Sequence, residues 1–233
     1  MPKTNSNTFP NPVLWMVRFS FGLFIAFHAY AIVLTFAPVT ATANMTLRYI
    51  EQGELRQNWT PLEQISPHLV RAVIAAEDTR FCTHEGIDVE AIEDALEERE
   101  NRGRVRGAST ITQQTAKNVF LWNGGGWIRK APETWMALFI DHVWGKRRVM
   151  EVYLNVAEWG DGRFGAEAAA RYHLSKTAAE LTPYEAARLA AVLPSPNKWR
   201  VRNPGPYVRS RTSTLVARMR VVERDGLDDC VLE

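Results

Sequence analysis

The stretch RAVIAAEDTRFCTHEG, Arg71 to Gly86, carries an apolar run into two adjacent acids, Glu77 and Asp78, followed by Phe81, His84 and a glycine. A core helix gains nothing from paired carboxylates at its inner end, because burial penalises the charged form. The same burial, with a like charge alongside, raises a carboxyl pKa toward the range where it works as a base. Glu77 is therefore a candidate catalytic carboxylate. Asp78, Phe81 and His84 are candidates to line its substrate, with His84 also read as a plain structural anchor.

A second constellation is GASTITQQTAKN, Gly107 to Asn118. A helix starting near Thr110 puts Thr110, Gln114 and Lys117 at i, i+4 and i+7, on one face. That face offers a hydroxyl, an amide and an ammonium in line. Ser109 and Thr110 fall where unpaired N–H groups open a helix, a ready anion site. The surface suits a phosphate or pyrophosphate; a solvated polar face is the plain alternative. No GxxxxGK[ST] is present, so it is not a P-loop.

Cations recur nearby. Arg99, Arg102, Arg104 and Arg106 surround Gly103 in RENRGRVRG, which reads as a charged surface loop or as a loop meeting an anionic lipid or substrate. In GGGWIRKAPETW, Arg129 and Glu133 are four apart and share a helix face, with Pro132 placed in a first turn. Their pairing is structural, or it presents a second carboxylate held by cations. Lys146, Arg147 and Arg148 then lead into Val149, Met150, Tyr153 and Leu154, the buried stripe of a short helix. Gly160, Gly162 and Gly165 mark tight turns or close backbone approach.

These groups must be carried by helices. Ser66 and Pro67 start one, as N-cap and first-turn proline, with Leu69, Val70, Val73 and Ile74 on its apolar face. Asp88 caps the next, with Val89, Ile92 and Leu96 expected inward. TPYE, Thr182 to Glu185, is a capping box opening the alanine-rich EAARLAAVL. A last amphipathic helix spans about Tyr207 to Arg224, with Val208, Leu215, Met219 and Val222 on one side. The fold class is mainly α.

The 233 residues suffice for one sizeable domain, and a net charge of +2 does not indicate a nucleic-acid binder. Cys82 and Cys230 lack metal spacing; two unpaired thiols are expected, a single bridge being the alternative. The run Phe19–Ala37 is apolar, and no Lys, Arg, Asp or Glu lies between Arg18 and Arg48. It is long for a signal peptide h-region of about 7–15 residues, which favours an uncleaved transmembrane anchor at 19–38. A polar tail at 1–18, which only the resemblance described next assigns to the cytoplasm, a connecting segment at 39–60 and a main domain at 61–233 complete the expected division.

Together, EDTRFCTHEG, GASTITQQTAKN, RKAPE, KRRVMEVYLN with GDGRFGAEAAA, and LTPYEAARLAAVLPSP resemble the domain that polymerises peptidoglycan glycan strands from lipid II. The resemblance covers roughly Pro61 to Arg224 and is to the monofunctional biosynthetic peptidoglycan glycosyltransferases, since no transpeptidase elements follow. Cys82 and Thr83, His173-Leu174 and Asp141 depart from the family pattern, at positions away from the catalytic residues. The resemblance implies a lysozyme-like α-helical domain with a small membrane-proximal lobe, held outside the cytoplasmic membrane. It implies Glu77 as base and Glu133 as the second catalytic carboxylate. Ser109, Thr110, Gln113, Gln114, Lys117, Asn118, Arg129, Lys130, Lys146 and Asn155 would bind substrate. Glu133 would support the cations, or hold a divalent Mg or Mn ion if one takes part. The implied partners are lipid II, the lipid-linked glycan strand, the cytoplasmic membrane and other cell-wall synthesis proteins. A lytic enzyme with similar carboxylates and a silent membrane scaffold are the competing classes; the pyrophosphate-type surface argues against the first.

Overall fold

The computed structural model describes residues 12–103, 107–122 and 124–233. Arg104, Arg106 and most of the expected N-terminal tail lie outside the described residues, as does the side chain of Arg102. The described chain divides into two compact units at Ala37/Pro38.

The first unit is α1, Pro12–Val33, whose 22 residues are long and apolar enough to cross a membrane. It starts before the expected boundary and takes in Arg18. The end of the apolar run, Leu34 to Phe36, is a turn.

The second unit contains α2 (Ala43–Gln52), β1 (Arg56–Gln57), α3 (Pro67–Glu77), α4 (Val89–Arg102), α5 (Ile111–Phe120) and α6 (Gly126–Val156). It continues with β2 (Arg163–Phe164), α7 (Ala166–Leu174), α8 (Pro183–Ala190), α9 (Pro206–Arg224) and α10 (Asp229–Leu232). The stretch read as a connection, 39–60, is thus structured and clusters with the main domain. Its β1 pairs in parallel with β2, Arg56 opposite Arg163. The helical class read from the sequence is the class observed.

The core is built around α3, which packs on α8 and α9, while α5 packs along α6. Leu69, Val70, Val73 and Ile74 are fully buried, as the spacing required. Pro67 is at the first helical position, but the Ser66 hydroxyl does not cap α3; it donates to the Leu181 carbonyl at 3.0 Å and ties the helix start to the α8 entry. Asp88 does cap α4, accepting from Ala91 N at 2.9 Å, and Thr182 and Glu185 form the expected box on α8. The stripe of α9 is buried at Val208, Leu215, Met219 and Val222.

Three expectations are corrected. Val89 and Leu96 on α4 are 61% and 53% exposed, so their helical spacing does not mark an inward face. Cys82 and Cys230 form a disulfide, closed by the short α10 that the sequence did not announce. Pro132 sits well inside α6, not in its first turn, so its missing N–H removes a helix bond that an interior position would make. The basic segment at Lys146 begins a helix of its own in effect: Gly145 has φ 70°, ψ 167°, a break that side chains disfavour, and Val149, Met150, Tyr153 and Leu154 beyond it are buried.

Candidate active site

Glu77 is the last residue of α3, where the helix delivers it to a cavity of about 390 Å³ lined also by Asp78, Arg80, Ser109, Thr110 and Arg218. Its side chain is 13% exposed. One oxygen, Oε2, accepts from Gln114 Nε2 at 2.9 Å. The Gln114 amide is itself oriented, because Tyr153 donates its hydroxyl to Oε1 at 3.3 Å. Burial pushes that phenol well above its usual pKa, so it stays a donor. The Glu77 carboxyl is raised above the ordinary value chiefly by burial. Gln114, Arg211 and Lys117 oppose that shift, while the Asp78 charge adds to it.

Asp78, next in the chain, lines the same cavity but spends its carboxylate on the fold. Its carboxylate accepts from the His84 ring at 3.0 Å and from Ile111 N at 2.9 Å, joining the end of α3 to the start of α5. Gly86 closes this segment with φ +81°, and a Cβ there would stand 2.8 Å from the Ala137 carbonyl of α6. Phe81 is fully buried, with the Lys146 ammonium 4.9 Å from its ring centre. Lys146 also binds Asp141 at 2.7 Å and the His84 carbonyl. Phe81, His84 and Lys146 are therefore engaged with the fold and with one another, and line neither of the cavities beside Glu77 and Lys117.

The α5 residues divide in the same way. Thr110 caps the helix, accepting from Gln113 N at 3.0 Å and donating to the Gly86 carbonyl at 2.7 Å, while the Gln113 side chain returns to Thr110 N. This is a capping box, so both residues are occupied by the fold. Gln114, Lys117 and Asn118 point instead to a second cavity of about 250 Å³, shared with Asn44, Arg48 and Tyr153. Burial lowers the Lys117 pKa below that of an ordinary lysine; Glu133 opposes this most, and Glu77 also opposes it. The ammonium lies in the field of both carboxylates. Asn155 is 0% exposed and lines neither cavity: its amide bonds Thr60 N, Thr60 O and Glu151 O at 2.8–2.9 Å. It fastens the 58–60 segment to α6, which removes it from the expected substrate set.

Glu133 is 3% exposed and gathers the cations at the start of α6. Arg129 binds one oxygen, and Lys130 the other at 2.6 Å. Lys130 also donates to Ser109 Oγ at 3.3 Å, and Arg129 Nε to the Gly124 carbonyl at 2.6 Å. The i, i+4 pairing read from the sequence is present. With both oxygens engaged by cations, this donor set does not fit a divalent ion, and no group of three or more His, Cys, Asp or Glu side chains among the described residues is placed to hold one. Glu133 is a holder of cations.

Sequence reasoning missed Arg211 and Arg218 of α9, which reach the Glu77 side of the site. Their seven-residue spacing puts them on one helical face, a signal that was legible. Arg80, which also lines the Glu77 cavity, was missed as well; it pairs with Asp88 at 2.8 Å.

A helical domain that buries an acid at a cleft, with an amide and a gathered set of cations beside it, has the equipment of a glycosyl-transferring enzyme acting on an anionic donor. The comparisons agree. A family described as Transglycosylase matches residues 43–220. A biosynthetic peptidoglycan transglycosylase of Rhodospirillum centenum is 51% identical over 214 residues, covering 91% of this chain and 92% of that protein. Proteins of the same name from Caulobacter vibrioides and Pseudomonas entomophila are 48% and 50% identical, over 91% and 82% of this chain and 93% and 84% of their own. The chain belongs to the transglycosylase family and is a glycosyltransferase.

Proposed function

We propose that this enzyme polymerises the glycan strands of peptidoglycan, transferring a lipid-pyrophosphate-linked chain to the GlcNAc 4-hydroxyl of lipid II and releasing undecaprenyl pyrophosphate. The observation that carries the reading is a desolvated carboxylate, Glu77, with Lys117 close enough to feel both it and the group of Glu133, Arg129 and Lys130. The acceptor hydroxyl gives its proton to Glu77 as its oxygen bonds to the anomeric carbon of the donor from the face opposite the pyrophosphate. The pyrophosphate leaves with the bonding pair. A pyrophosphate is a weak base, so its departure needs charge stabilisation more than a proton. Lys117 supplies that charge, and Glu133 fixes Arg129 and Lys130 for the same purpose. Ser109, Gln114 and Asn118 line the path of the substrate. A lytic enzyme has no pyrophosphate to hold, so the cations favour the transferase.

In this reading α1 is a membrane anchor with the short N-terminal tail in the cytoplasm and the domain on the outer side of the cytoplasmic membrane. The Cys82–Cys230 bridge supports that side, because disulfides persist in oxidising compartments. Other cell-wall synthesis proteins are the expected protein partners. Purified enzyme in detergent, given labelled lipid II and resolved on a gel, tests the reaction. Polymer from the wild type and none from Glu77→Gln is expected. Shortening of preformed strands without polymer would replace the transferase with the lytic enzyme.

A further inference from the structure

The two oxygens of Glu77 have different surroundings. Oε2 is taken by Gln114 of α5 at 2.9 Å. Oε1 has Arg211 of α9 facing it, with Nη2 at 4.0 Å, beyond hydrogen-bond length but well inside the range of a charge. Arg211 has no other carboxylate partner among the described residues. Its Nη2 leans on the Ala76 carbonyl at 3.5 Å, and its Nε is buried without a partner. The guanidinium is therefore held by the backbone just before Glu77, and its charge is not neutralised elsewhere.

From this arrangement we propose that Arg211 is a positioning residue for the catalytic base: it keeps the Glu77 carboxylate ionised without occupying the oxygen that takes the proton. A cation at hydrogen-bond distance would hold the carboxylate but blunt its basicity. A cation removed altogether would leave the effect of burial on this acid less opposed. At 4.0 Å the charge acts while Oε1 keeps its lone pair for the acceptor hydroxyl. The other groups that face Glu77 are Asp78 on its own segment, Gln114 and Lys117 from α5, Tyr153 behind Gln114 from α6, and Arg80 and Arg218, which line the same cavity. Only Arg211 brings charge from α9 into an ion pair with it. The packing of α9 on α3 thus brings a charge to the base from a helix some 130 residues away in sequence, Arg211 against Glu77.

The inference rests on Glu77 being the base, and the test separates the two. The polymerisation rate of the full-length enzyme in detergent micelles is measured against pH for wild type, Glu77→Gln, Arg211→Gln and Arg211→Lys, with melting temperatures for each. The expected result is an acid limb of kcat shifted upward by about one pH unit or more in Arg211→Gln, the low end of what an opposite charge at this range produces. On that limb the rate falls about tenfold, recovers at higher pH, and is largely restored by Arg211→Lys. An unmoved acid limb, whether KM changes or not, would overturn the proposal. If Arg211→Gln does not fold, Arg211→Met keeps the stem packed and carries the same expectation. Failure of both to fold would make Arg211 structural and also overturn it. Polymer from Glu77→Gln would instead remove the base assignment itself.

Discussion

Breaking the Cys82–Cys230 bridge is the perturbation whose size the structure fixes best. The bridge spans 148 residues of sequence and joins the segment just after Glu77 to α10. On the chain-entropy relation a loop of this length is worth about 5 kcal/mol, while measured disulfides typically give about 2–4 kcal/mol. The lower part of that range is expected here, because the C-terminal segment has other ties. Arg71 Nε binds Asp228 at 2.7 Å, Arg147 donates to the Val231 carbonyl, and Val231 is buried. These contacts survive reduction and retain order in the segment. In a chain of this size each kcal/mol moves the melting temperature by about 2–4 °C, so about 2–3 kcal/mol predicts a fall of roughly 4–12 °C. The assay is thermal unfolding in detergent of the oxidised wild type, the reduced wild type and Cys82→Ser/Cys230→Ser, with free thiols titrated in protein purified without reductant. Activity should fall as well, since Cys82 lies in the short segment between Glu77 and His84, which is tied back to Asp78. Two free thiols per oxidised chain, or melting within about 1 °C for all three samples, would refute the reasoning.

Other outcomes follow from the same geometry. The pH–rate profile should be bell-shaped, with an acid limb above the ordinary glutamate pKa from the buried Glu77 and an alkaline limb below the ordinary lysine value from Lys117. Because the folded-state pKa of Glu77 is raised, the unfolded chain loses that proton first, so this residue reduces stability as pH climbs from its unfolded to its folded value. Glu77→Gln should therefore melt higher than wild type above that window and equally below it, and equal melting throughout would contradict the assigned burial. Glu133→Gln leaves Arg129 and Lys130 without their shared partner; a loss of about 2 kcal/mol in denaturant unfolding is expected, below the usual figure for a buried pair because Lys130 is partly exposed. Asn155→Ala removes three buried amide bonds and should cost about 2–3 kcal/mol. KM for lipid II should stay unchanged in the protein that remains folded, and a raised KM would restore Asn155 to the substrate set.

What the sequence determined by itself is local. Helix periodicity placed Leu69, Val70, Val73 and Ile74 inward, side-chain chemistry placed the caps at Asp88 and Thr182, and four-residue spacing joined Arg129 to Glu133. Each of these relations is fixed by 3.6 residues per turn or by a helix end with orphan N–H groups, so no knowledge of the rest of the chain is needed. The tertiary structure alone decided which polar groups are spent on the fold. Thr110 and Gln114 share a helix, yet one caps it and the other reaches Glu77, 37 positions away. Asn155 turns to Thr60 across 95 positions, and Lys146 turns beneath Phe81. A hydroxyl, amide or ammonium has the same composition whether it meets backbone or substrate. The choice is made by which helix faces pack together, and that is settled by contacts distant in the chain: α9 against α3 bringing Arg211 to Glu77, and α10 reaching the segment beyond it to bring Cys230 to Cys82.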